Sequence, residues 1–151
     1  MDTDFAILKA TRDNFLNLIS GLDIDQLNKI PVNFNNNIAW HLGHIVVARQ
    51  LLCYQLSGLE TGLNDDLINR YKKGSKPEAF ISQDEVNMFK GLCVSLDAKM
   101  AEDFRAGIFK TYNEYTTSFG VKLASIEDAV KFNVVHEGLH LGYVMALKRA
   151  I

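Results

Sequence analysis

Residues 38–56 read IAWHLGHIVVARQLLCYQL. The run has no proline and no alternation of apolar and polar residues, so it reads as one long helix. It is apolar around most of its circumference, which implies burial on more than one side. Asn36 or Asn37 supplies an N-cap before it, and Ser57-Gly58 ends it. A helix buried on several sides needs other helices around it.

The rest of the chain supplies them. The first helix is expected from about Thr3 to Ser20, with Phe5, Leu8, Arg12, Phe15 and Ile19 on one stripe and Gly21 as its stop. A third begins at Ser82-Gln-Asp-Glu85, an S-x-x-E capping box, and carries Val86, Phe89, Leu92, Cys93, Leu96, Met100 and Phe104 at helical spacing. The last begins at Ser125-Ile-Glu-Asp128 and runs to the end, closing with Lys148 and Arg149 where the helix dipole favours cations. Residues 58–81 form a long middle connection with one helical turn, NDDLINRY, and read either as a packed crossover or as a lid. The segment 107–124 is compatible with a short strand, an irregular loop or a broken turn. The expected fold is all-α: one domain over residues 1–151, built as a four-helix bundle with a long middle crossover.

Composition narrows the function. The 151 residues are 48% hydrophobic and 23% charged with a net charge of −2, so no nucleic-acid footprint is indicated. No stretch approaches the length that spans a bilayer. The N-terminus lacks the basic start and apolar run of a signal peptide. Cys53 and Cys93 fit neither a metal spacing nor a disulfide framework, and a reducing cytoplasmic location is the simplest expectation.

All four histidines fall on two helices: His41 and His44 on the second, His136 and His140 on the last. At about 100° per residue, His136 and His140 are about 40° apart and stacked one turn above the other. His41 and His44 are separated by about 60°. One histidine on an apolar helix is usually a core residue with one hydrogen bond, but two facing helices that each bring a pair suggest a metal site. Cys53, nine residues after His44, falls on the opposite face. A borderline divalent ion held by nitrogen is expected, zinc or nickel before iron or manganese.

HEGLHLG at 136–142 also spells H-E-x-x-H, the signature of a zinc-protease helix. A protease of that type takes its third ligand from downstream, but LGYVMALKRAI after His140 holds no His, Asp, Glu or Cys. No sheet is evident to form a cleft, so the protease reading is set aside. Glu137 then has three readings: orienting a ligand histidine, acting as a base on bound water, or pairing as a partly buried acid with Arg12 or another base.

N-x-A-W-H-L-G-H-I at 37–45 together with the closing H-E-x-x-H-x-G helix resembles the DinB-like superfamily, which includes the bacterial YfiT-type proteins. The resemblance covers nearly the whole chain. It implies up-down-down-up helix order and one metal ion near one end of the core. It also implies three histidine ligands, matching His44, His136 and His140 here; it assigns His41 no fixed role, and that residue is read as lining the pocket or standing behind a ligand. Such a set leaves positions open for water or substrate. Relatives include transferases and isomerases that use a low-molecular-weight thiol such as bacillithiol or mycothiol. The function implied is a metalloenzyme, a thiol-dependent S-transferase or hydrolase. Its alternatives are a non-catalytic metal- or ligand-binding or stress-response module, and a helical interaction protein whose histidines are core residues. Apolar surface on the last helix, with Gly138 and Gly142 allowing close approach, suggests a homodimer through that helix or the second.

Overall fold

The computed structural model describes all 151 residues. The chain forms six α-helices: α1 (Asp2–Ile19), α2 (Ile24–Asn28), α3 (Ile38–Cys53), α4 (Asp65–Tyr71), α5 (Gln83–Arg105) and α6 (Ile126–Ala150). Its only strands are β1 (Tyr115–Thr116) and β2 (Lys122–Leu123), an antiparallel pair. The fold is therefore all-α. Of the three alternatives for 107–124, the short strand is the one present.

Four long helices form a ring: α1 packs on α5 and α6, and α3 also packs on α5 and α6. Every residue of α3 except Leu51 and Leu52 is buried. Its apolar circumference is used up by α4, α5 and α6. The stripe expected on α1 is the buried one: Phe5, Leu8, Arg12, Phe15 and Ile19.

Local chemistry fixes the ends. The Asn37 side chain accepts from the Trp40 N–H and so caps α3. α3 ends at Cys53 rather than Leu56. The chain then tightens into one 3-10 turn, Gln55–Ser57, closed by Gly58 at φ 72°. Ser82 caps α5 by accepting from the Glu85 N–H, but Glu85 does not complete the expected box. Its carboxylate accepts instead from Arg70 and the Tyr71 hydroxyl, tying α4 to the start of α5. Charge-assisted bonds to a guanidinium are stronger than a bond to a single backbone N–H, which accounts for the choice.

The middle connection is a packed crossover. α4 lies against α3 and buries Leu67 and Tyr71. Trp40 donates its indole N–H to the Arg70 carbonyl and the Ser75 hydroxyl, pinning the loop that follows α4. Gly43 makes the close approach feasible, because a Cβ there would lie 2.4 Å from a ring carbon of Tyr71.

No helix is long and apolar enough to cross a membrane.

Candidate metal centre

The three expected ligand histidines converge. His44 on α3 and His136 and His140 on α6 place one ring nitrogen each within 4.8 Å of one another. Nε2 of His136 is 3.3 Å from Nε2 of His44 and 3.2 Å from Nε2 of His140. Zinc–nitrogen bonds of about 2.0–2.1 Å in a tetrahedron set neighbouring donors about 3.3 Å apart. Both spacings fall at that value, and the third is within 4.8 Å, so the donor set can close on an ion of that size with a small adjustment.

The rings are prepared as ligands. His44 Nδ1 lies 2.7 Å from the Tyr71 carbonyl oxygen, which only accepts. His44 therefore carries its hydrogen on Nδ1 and its lone pair on Nε2, toward the other two rings. Trp40 stacks on His44 with ring centroids 4.6 Å apart, and Phe132 stacks on His136 at 6.0 Å. Burial, reinforced by neighbouring imidazoles, lowers the pKa of His136 to about 4 and of His140 to about 2. Burial also lowers His44, opposed by its bond to Tyr71. At neutral pH the three rings are uncharged, the form a metal requires.

His41 lies in the same wall of the cavity, buried at 3% exposure. Its Nδ1 is 2.8 Å from Nδ1 of His140, on the side of that ring away from the Nε2 cluster. It is thus next to a candidate ligand without joining the donor group.

Glu137 is where the structure departs from two of the three readings. It is fully buried, does not line the cavity and bonds to no histidine. Its carboxylate accepts from Arg12 Nε at 3.0 Å and Nη2 at 2.9 Å, and from Arg49 Nε at 2.8 Å. Arg49 also reaches Asp97 at 2.5 Å. Glu137 is therefore neither a base facing the site nor an orienter of a ligand ring. Pairing with Arg12 is the reading the structure bears out, because a carboxylate out of water needs full compensation. Burial pushes its pKa up, but the two guanidiniums outweigh that and hold it below the usual carboxylate range. The literal H-E-x-x-H match thus has a histidine pair in the site and an acid in the core.

The cavity beside the imidazoles has a volume of about 600 Å³. Its walls include Leu51, Leu52, Phe119, Phe132, Leu139 and Tyr143, with Thr117 and Ser118 from the hairpin tip and Lys73-Gly74 after α4. No Asp or Glu lines it, and Lys73 is its one ammonium.

Several of these contributions had no legible signal. A backbone carbonyl such as that of Tyr71 leaves no residue-type signature. The hairpin tip is remote in sequence from every histidine. Arg49 did carry one: a guanidinium within an otherwise apolar helix must find a buried anion.

No curated protein matches the chain significantly. A family profile does match, over residues 7–144, nearly the full length and inclusive of every histidine. With that match, the three converging imidazoles and the all-α fold, the chain belongs to the DinB superfamily.

Proposed function

We propose that this protein binds one divalent metal ion through His44, His136 and His140 and uses it in a thiol-dependent transfer reaction. The observation that carries the reading is the meeting of three imidazoles from two helices, with ring nitrogens within 4.8 Å of one another, beside an open cavity. All-nitrogen ligation favours zinc or nickel over iron or manganese. A divalent ion held by neutral imidazoles supplies Lewis acidity, lowering the pKa of a coordinated thiol or water toward neutrality.

The chain's own residues do the rest. Trp40 stacks on His44 and Phe132 on His136, which holds those two ligand rings in place. Leu51, Leu52, Leu139 and Phe119 give the cavity an apolar wall for the body of a substrate. No carboxylate lines the cavity to take a proton, which suits a thiol as the more acidic of the two before it is bound. An unaided thiol ionises near about 8.5, whereas bulk water ionises near about 15.7. A low-molecular-weight thiol as cosubstrate fits that difference.

The up-down-down-up four-helix bundle belongs to the same reading, supported by the ring of contacts among α1, α3, α5 and α6. So does a homodimer through α6. Val135, Leu139, Tyr143 and Met145 are exposed along that helix, and a Cβ added at Gly138 or Gly142 would meet no other part of the chain within 4 Å. The glycines thus serve no helix approach within the chain. A cytoplasmic location is supported by two free, buried cysteines.

The test starts with metal analysis of the purified protein. It continues with a panel of thiols, including bacillithiol and mycothiol, against a chromogenic aryl-halide electrophile. One equivalent of zinc or nickel and thiol-dependent turnover are expected. Both should be lost in His44→Ala and His140→Ala with the circular dichroism spectrum unchanged. Wild-type protein that takes up no divalent metal overturns the reading. Metal uptake with no turnover leaves a binding module, and turnover with water alone leaves a hydrolase. Light scattering that finds only a 17.0 kDa species rejects the dimer.

A further inference from the structure

A neutral imidazole has one N–H and one lone pair, so each ring in this cluster can be assigned from its neighbours. For Nε2 of all three ligands to offer lone pairs, each must carry its hydrogen on Nδ1. His44 meets that condition through the Tyr71 carbonyl. His136 has no protein partner at Nδ1. His140 is the informative case.

Its Nδ1 faces Nδ1 of His41 at 2.8 Å, and two ring nitrogens at that distance share a single hydrogen. If the hydrogen belonged to His41, His140 would carry its own on Nε2, aimed at His136 and His44, and could not bind an ion. If it belongs to His140, Nε2 is free to bind. We infer that His41 is the positioning residue for His140: its Nδ1 accepts the His140 Nδ1–H and so locks His140 in the metal-binding tautomer. The inference rests on the metal reading proposed above.

The surroundings of His41 support a fixed acceptor. The ring is buried, met edge-on by Trp40 at 5.3 Å and flanked by Tyr143 at 4.7 Å. It cannot be a fourth ligand in this arrangement, because its near nitrogen faces Nδ1 of His140 and not the Nε2 group. The assignment also places the proton of His41 on Nε2. That atom is buried without a protein acceptor, on a side chain in the cavity wall. The chain of tautomers therefore ends at a buried N–H that finds no acceptor in the protein. A ring held this way by an outer partner binds metal more tightly, by about 10–100-fold in comparable sites.

The test uses the zinc-loaded protein and two readouts other than activity. Long-range proton–nitrogen spectra of the imidazoles should show His140 protonated at Nδ1 and His41 protonated at Nε2. Zinc affinity, measured by competition with a chromophoric chelator, should fall about 10–100-fold in His41→Phe. It should largely recover in His41→Gln, whose Oε1 can accept the same N–H. A wild-type spectrum with the His41 hydrogen on Nδ1 overturns the assignment. So does His41→Phe with wild-type affinity, or His41→Gln no better than His41→Phe. Should the Phe variant fail to fold, the wild-type spectrum decides alone. Failure of the wild type to bind zinc sinks the proposed function and this inference with it. Tight binding by both wild type and the Phe variant sinks this inference only.

Discussion

Gly43→Ala separates a fold that merely contains four histidines from one that positions them. An added Cβ would lie 2.4, 2.6 and 2.9 Å from three ring carbons of Tyr71. Reaching ordinary contact at about 3.4 Å needs a displacement of about 1 Å. The ring has little freedom to give. It is 1% exposed, packs edge-to-face on Phe89 at 4.7 Å, and its hydroxyl is bonded to Glu85. Much of the displacement must therefore pass to the Tyr71 backbone, whose carbonyl holds His44 Nδ1 at 2.7 Å. Adding about 1 Å along that line takes the bond beyond useful range. Overpacking costs about 1–3 kcal/mol, and the better helix propensity of alanine returns about 0.5–1 kcal/mol. At the midpoints of those two ranges the net loss expected is about 1.3 kcal/mol. For a chain of this size that is a fall in Tm of about 3–5 °C. Loss of the partner that orients His44 should weaken zinc by about 10–100-fold. Thermal denaturation of the apo protein and chelator competition on the loaded protein measure the two effects. A variant as stable as wild type with unchanged zinc affinity would show that Tyr71 does not couple α4 to the site.

Three further outcomes are expected. Glu137→Gln leaves the buried Arg12 guanidinium without an anion and Arg49 with only Asp97, and should cost about 3–5 kcal/mol in urea denaturation. It should still bind zinc at one equivalent, whereas loss of metal with full stability would restore Glu137 to the site. Zinc at about 100 times its Kd should stabilise the wild type by about 2.7 kcal/mol and leave His136→Ala and His140→Ala unmoved. Stabilisation that survives in both variants would place the ion elsewhere. In the apo protein, burial lowers His41 to about 3, His136 to about 4 and His140 to about 2. The unfolded chain titrates near about 6.5 and so binds more protons below that pH. Stability is therefore whole above about pH 6.5 and declines as the pH falls toward the folded-state values, by up to about 1.4 kcal/mol per pH unit for each fully titrating ring. A flat urea midpoint between pH 7 and pH 5, above the range of most carboxylates, would contradict the burial of these rings.

Residues 38–56 made the all-α fold legible, because a helix apolar all round must be enclosed by other helices. The pairs at 41/44 and 136/140 were visible for a similar reason: helical periodicity converts spacing into direction without reference to the rest of the chain. The same rule placed Glu137 off the histidine face, yet could not say whether it met a ring or a guanidinium. Arg12 and Arg49 settle that, and they come from two other helices. Which nitrogen of each histidine is free depends on contacts between residues far apart in the chain: Tyr71 with His44, and His41 with His140. Local sequence thus determined the helices and the faces that carry the imidazoles. Only the tertiary structure decided which atoms meet, because hydrogen bonds and metal sites depend on distances of a few tenths of an ångström between elements, and helix–helix packing sets those distances.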